Sequence, residues 1–215
     1  MLIALAGDST VTDHEGWGRG FRRRLATGVG CTNHARGGRS SKSYRAEGHW
    51  QPVLDTGADL VLIQFGHNDE PGKGPERETD PDTSFAANLA GYVAEARAAG
   101  LAPVLVTSLT RRQFTPDGQL HDTLGGYVAA TRRVAAEQSV PLVDLHAASS
   151  DLCAALGPAG CGPLSIRRSD GSLDATHLNP AGGDRLDSLL AELLAADLPA
   201  LLPYLVPATC TSPAE

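Results

Sequence analysis

The chain lacks any apolar run near the ~20 residues that a helix needs to cross a bilayer, so no segment reads as a membrane span. None of its four cysteines forms a Cys-x-x-Cys pair, which removes the common zinc and dithiol signatures. Basic residues are not in excess. The formal net charge is −7, which argues against a general nucleic-acid or anionic-membrane binder. Met1 runs straight into an apolar segment, with no basic leader or cleavage site ahead of it, and the expectation is a cytoplasmic protein. No Gly-x-Ser-x-Gly elbow occurs, which excludes the α/β-hydrolase way of presenting a serine. Gly16-Trp17-Gly18-Arg19-Gly20 is glycine-rich but has the wrong spacing and place for a dinucleotide fingerprint.

What remains is an ordinary globular composition, 41% hydrophobic and 20% charged over 215 residues, enough for one domain (1–215) with a sizeable core. Strand-like and helix-like segments alternate. Strands are expected at Leu2–Ala6, Cys31–Ala35, Asp59–Phe65, Ala102–Leu109 and Val140–Leu145. Helices are expected at Trp17–Thr27, His49–Asp55, Asp82–Ala99, Leu124–Gln138, Ala147–Leu156 and Pro180–Ala196, the last capped by Asn179 with Pro180 at its first position. That alternation predicts an α/β fold with a parallel sheet covered on both faces, a three-layer α/β/α sandwich. Ligands in such sheets bind beyond the carboxyl ends of the strands. The long loops Gly66–Pro81 and Thr110–Thr123 follow two of those ends and should rim the site. A third loop, Gly157–Leu173, leads into Asp174, and the tail 203–215 is expected to be loosely ordered.

The chemistry concentrates at the two ends of the chain. Ser9 in Gly7-Asp8-Ser9-Thr10 falls just past the first strand, and Asp174-Ala175-Thr176-His177 lies far downstream. Together they supply a nucleophile, a base and an orienting carboxylate for acyl transfer. The Asp-x-x-His spacing lets one short turn present both side chains to one place. Acyl transfer also needs donors for the oxyanion of the tetrahedral intermediate. Two glycine- and asparagine-bearing segments follow apolar runs, Asn33 to Tyr44 and Gln64 to Glu70. A glycine permits close backbone approach, and a loop asparagine supplies an uncharged amide donor.

These segments, in this order, resemble the SGNH hydrolases of the GDSL superfamily. Ser9 matches the motif serine, with Thr10 standing where the nominal motif has leucine. Gly38 and Asn68 match the glycine and asparagine, and Asp174 with His177 match the closing pair. Trp17-Gly18, Gly38-Arg39-Ser40-Ser41-Lys42-Ser43-Tyr44, Phe65-Gly66-His67-Asn68-Asp69 and Thr176-His177-Leu178-Asn179 narrow the likeness to the rhamnogalacturonan acetylesterase group, family twelve of the carbohydrate esterases. The resemblance spans about Leu2 to Leu194. It implies a flavodoxin-like five-stranded sheet of order 2-1-3-4-5. It also implies a Ser9–His177–Asp174 triad and an oxyanion hole from the Ser9 and Gly38 N–H groups and the Asn68 side chain. No cofactor or metal is called for. The implied activity is removal of acetyl groups from plant polysaccharide fragments, rhamnogalacturonan first and xylan oligomers as the alternative.

The remaining residues carry weaker expectations. Asp8 reads as a structural loop aspartate and Trp17 as core. His67 adjoins Asn68 and is expected to line the pocket. Arg36, Arg39, Lys42 and Arg45 follow the second strand, and Arg111 and Arg112 the fourth. Of these, Lys42, Arg111 and Arg112 are expected to contact an anionic sugar, while Arg39 braces its own loop. Cys31 reads as a buried strand residue, and Cys153 and Cys161 are close enough in sequence to pair as a disulfide. Gly66-His67-Asn68-Asp69 does not reproduce a metallophosphoesterase motif, because the order differs and the N-terminal Asp-x-His pair is missing. A non-catalytic carbohydrate-binding module is disfavoured by the complete set of acyl-transfer residues. The expected partner is a small acetylated oligosaccharide substrate, with no nucleic acid or membrane, and the protein is expected to be a monomer or small homo-oligomer.

Overall fold

The computed structural model describes residues 1–206; residues 207–215, with Cys210, lie outside the described part. Five parallel strands form the central sheet: β1 (Leu2–Gly7), β2 (Gly30–Asn33), β3 (Leu60–Gln64), β4 (Ala102–Val106) and β5 (Leu142–Val143). Their order is β2-β1-β3-β4-β5, as the resemblance implied. The register pairs Ala4 with Thr32 on one side and with Val61 on the other.

Alternation of side chains across each strand assigns the two faces. Ala4, Ala6, Val61, Ile63 and Leu105 point into one core with Tyr44, Trp50, Phe65, Phe85, Tyr92 and Tyr127. Ile3, Leu5, Leu60, Leu62, Val104 and Val106 point into the other with Trp17, Phe21, Leu186, Leu190 and Leu194. Burial on both faces is why β3 is apolar from Leu60 to Ile63. The first face is covered by α2 (Ser41–Ala46), α3 (Gln51–Leu54), α4 (Ala86–Ala98) and α5 (Gly125–Glu137), and the second by α1 (Gly18–Arg23) and α7 (Pro180–Asp197). α6 (Leu145–Cys161) breaks at Gly157, whose φ is 64°, ahead of Pro158. The helix expected to end at Leu156 does so in effect, and a second helical stretch continues beyond the break.

Other boundaries also differ from expectation. The glycine- and proline-rich stretch before Asp174 is not an unstructured loop. It contains β6 (Ser165–Arg167), which pairs antiparallel with β7 (Leu173–Leu178) as a separate two-stranded ribbon. Residues 203–206 are not loose: a 3-10 turn spans Pro199–Tyr204, and Ala26 N donates to Tyr204 O at 2.9 Å and Val206 N to Arg24 O at 2.7 Å. No described helix is long and apolar enough to cross a membrane.

Candidate active site

The ends of β1, β2 and β3 converge on one edge of the sheet, and each delivers one piece of the site. Past β1, Asp8 caps a 3-10 turn (Ser9–Val11) by accepting from Thr10 N at 2.9 Å and Thr10 Oγ1 at 2.7 Å. Only glycine fits at position 7, since a Cβ there would sit 2.5 Å from both Gln64 O and Val11 Cγ2. Behind the turn, Gln64 donates to Thr10 Oγ1 at 2.6 Å and accepts from the buried Trp17 indole at 3.0 Å. Ser9 is held at this edge, 5% exposed.

His177 Nε2 lies 2.9 Å from Ser9 Oγ, and His177 Nδ1 lies 3.1 Å from Asp174 Oδ2. With the proton on Nδ1, the ring donates to the carboxylate and accepts from the serine hydroxyl. Asp174 and His177 lie in β7 rather than in a free turn, yet the local geometry is turn-like. Asp174 Oδ1 accepts from Thr176 N at 2.8 Å and His177 N at 2.9 Å. Burial pushes the Asp174 carboxyl up, but the His177 backbone and ring bonds and the Thr176 bond outweigh it and hold the group well below the usual carboxylate range. It therefore stays an anion opposite the imidazole.

Past β2, residues 36–39 make a turn closed by Arg39 N to Arg36 O at 3.3 Å, with Gly38 at φ +76°. That third position needs a positive φ, which glycine adopts without strain. A Cβ at Gly37 would lie 3.8 Å from Ser9 Cβ, so the turn passes directly beside the serine. Past β3, Gly66–Asp69 forms a second turn, closed by Asp69 N to Gly66 O at 3.1 Å. Asn68 Nδ2 donates to Arg39 O at 3.2 Å, which leaves its other amide hydrogen for a ligand. Ser9, Gly38 and Asn68 are thus brought together with His177 and Asp174.

The basic residues are placed otherwise than expected. Arg112 is 7% exposed and turned inward, with Nε donating to Ser165 Oγ at 2.8 Å and Nη2 to Asp174 O at 3.2 Å and His177 O at 2.6 Å. Its backbone N–H donates to Ala175 O at 2.8 Å. With Nε and Nη2 so engaged and the side chain 7% exposed, it stitches the β6–β7 ribbon to the body rather than reaching out toward a sugar. Arg111 forms a two-pronged pair with Glu70 and also donates to Thr123 Oγ1 and Thr176 Oγ1. Lys42 Nζ donates to Pro75 O at 2.6 Å. Arg39 pairs with Glu47 and donates to Gly37 O, bracing its loop. His67 is 2% exposed and does not line an open pocket.

Sequence reasoning also passed over Asp69. It is fully buried and accepts from Ser41 N and Oγ and from Thr79 Oγ1. Burial raises its carboxyl to about 6 against those bonds, and the charge of Asp8 adds to the rise. Cys31 is half-buried in β2, its thiol pushed up to about 11 by burial. Cys153 and Cys161 are buried free thiols, with Cys161 Sγ 3.7 Å from Cys153 O. Among the described residues no group of three or more His, Cys, Asp or Glu side chains is arranged to hold a metal ion.

Residues 5–200 match the model of the GDSL-like Lipase/Acylhydrolase family. The chain is 38% identical over 209 residues to the rhamnogalacturonan acetylesterase RhgT of Bacillus subtilis, covering 89% of this chain and 88% of that one. It is 35% identical over 198 residues to the probable rhamnogalacturonan acetylesterase YesY of the same organism, covering 88% and 90%. Among solved structures, protein YXIM_BACsu of Bacillus subtilis superposes with a TM-score of 0.77 at 25% identity. That match covers 90% of this chain and 56% of the other, so this chain spans a little over half of that protein.

Proposed function

The chain belongs to the GDSL-like lipase/acylhydrolase family, and from that premise we propose that it removes O-acetyl groups from plant cell-wall oligosaccharides, acetylated rhamnogalacturonan above all. The observation that carries the reading is the chain of contacts from Ser9 Oγ through His177 to Asp174 at 2.9 and 3.1 Å. Ser9 Oγ attacks the acetyl carbonyl carbon while its proton passes to His177 Nε2. Asp174 holds the resulting imidazolium. The Ser9 and Gly38 N–H groups and Asn68 Nδ2 receive the carbonyl oxygen as it becomes an oxyanion. The intermediate collapses, the C–O bond to the sugar breaks, and His177 returns the proton to the departing sugar oxygen. Water then attacks the acetyl-enzyme by the same route, releasing acetate and restoring Ser9.

One relative is named a rhamnogalacturonan acetylesterase and another a probable rhamnogalacturonan acetylesterase, and one cation fits a uronate. Arg36 lines a hollow of about 270 Å³ with Thr12, Asp13, His14, Asn33, Ala35 and Gly37, the last of which passes beside Ser9. Asp13 in that hollow is already engaged by Arg22 and Asn33, whereas Arg36 forms no ion pair among the described residues. Its charge joins burial in holding His34 below the ordinary histidine range. The second reading is a neutral acetylxylan oligomer, which has no carboxylate for Arg36. The test is acetate release from acetylated rhamnogalacturonan and xylo-oligosaccharides by the wild type and Arg36→Gln. Preference for the uronate oligomer, reduced selectively by the substitution, supports rhamnogalacturonan. Preference for the xylo-oligomer replaces it with the second reading, and no release from either refutes both.

A further inference from the structure

Two buried side chains stand directly behind the reacting groups and take no part in the steps above. Asp8 precedes Ser9, and His67 precedes Asn68. Both are closed off from solvent, at 0% and 2% exposed. One Asp8 oxygen is satisfied by Thr10. The other, Oδ2, lies 3.4 Å from His67 Nδ1. Asp8 Oδ2 and both His67 ring nitrogens are buried without a closer polar partner. Burying polar atoms so poorly satisfied is unfavourable, and an apolar side chain would fill the same space without that cost. Packing alone therefore does not account for an imidazole here.

We infer that His67 is a positioning residue, whose Nδ1, 3.4 Å from Asp8 Oδ2, ties the turn presenting Asn68 to the turn presenting Ser9. The rest of the Asn68 turn is anchored on its far side. Asp69 is gripped by Ser41 and Thr79, and Tyr127 OH donates to Asp69 O at 2.9 Å. On the near side, toward Ser9, the Asp8–His67 contact is the link between the two turns. Without it the Asn68 amide drifts relative to the oxyanion formed at Ser9, and a displacement of about 1 Å costs about 10²-fold in rate. The Asp8 carboxyl supports this reading. Burial pushes it up, but the nearby His67 ring, with the Thr10 bonds, brings it below its ordinary value.

The inference rests on Ser9 and Asn68 having the roles proposed above, so Ser9→Ala is measured first. Undiminished turnover there removes that reading, whatever His67 does. Given an inactive Ser9→Ala, turnover of a small acetyl ester is compared in His67→Ala, His67→Gln, His67→Asn, Asn68→Ala and the His67→Ala/Asn68→Ala double variant. Phosphonate titration of Ser9 counts folded enzyme in each. His67→Ala and His67→Gln should lose about 10- to 100-fold in kcat with KM within about twofold. His67→Asn places an amide donor near the Nδ1 position and should recover to within about threefold of the wild type. The double variant should be no more than about twofold slower than Asn68→Ala, because residues acting through one another are not additive. Additive losses, an asparagine variant as slow as the alanine variant, or a kcat within about twofold of the wild type in His67→Ala would each overturn the inference. If His67→Ala does not fold, the contrast between the asparagine and glutamine variants decides.

Discussion

Replacing Arg112 by methionine removes the bonds from its side chain to Ser165 Oγ, Asp174 O and His177 O. Each hydrogen bond from a charged donor contributes about 1.5–3 kcal/mol. Against this stands the cost of burying the guanidinium, several kcal/mol per ion, which is visible in the way burial lowers the Arg112 pKa. The balance is a destabilisation of about 2–4 kcal/mol. The kinetic effect follows from geometry. The two carbonyls belong to His177 and its partner Asp174, so loosening them moves the imidazole from its 2.9 Å contact with Ser9, and kcat should fall about 10²-fold. Arg112→Lys keeps the charge but offers a single point donor in place of a planar fork, and should fall between the two. Urea denaturation and steady-state kinetics on a neutral and a uronate-containing acetyl ester measure both effects. Losses in kcat should be equal on the two substrates, because the buried side chain meets neither. A methionine variant with kcat within about twofold of the wild type, or a loss confined to the uronate substrate, would refute the reasoning.

Asn68→Ala should lower kcat by about 10²-fold with a smaller change in KM, as expected for a lost oxyanion donor; a rise in KM at unchanged kcat would make Asn68 a ground-state binder. Stability should carry the mark of Asp69. Its carboxyl titrates at about 6 in the folded protein and near ~3.9 unfolded. Between those values the folded state alone holds the proton, so this contribution is fully present below pH ~4 and is lost as pH rises through about 6, by about 3 kcal/mol. Denaturation of the wild type and Asp69→Asn from about pH 4 to about pH 7 compares the slopes; identical slopes would show that Asp69 does not titrate in this window.

The strands and the residues gathered at the sheet edge were legible because both depend on local signals, while the strand order came from the family resemblance. Apolar runs such as Leu60–Gln64 have one reading in an α/β chain, and Ser9, Gly38 and Asn68 each follow a strand end. Directions of long side chains were not legible. Arg111 and Arg112 are charged in any context, and only the fold turns them toward Glu70 and the carbonyls of the ribbon. The β6–β7 ribbon escaped notice because Ser165–Arg167 is short and flanked by glycine and proline, signals normally associated with loops. The helix Ser41–Ala46 was hidden in a serine-rich stretch. Its start is marked by a reciprocal cap between Ser40 and Ser43, with serine in place of the more recognisable glutamate. Asp69 looked like one more loop acid, since burial of a carboxylate depends on hydroxyls that arrive from Ser41 and Thr79, well separated in the chain.

The most direct test of the account is acetate release from acetylated rhamnogalacturonan oligosaccharide by Ser9→Ala, with folding checked by circular dichroism. The account predicts a loss of at least about 10³-fold relative to wild type, the residue of activity coming from binding and the oxyanion donors alone. Retention of more than about a tenth of the wild-type rate, with contaminating esterase excluded, would contradict it.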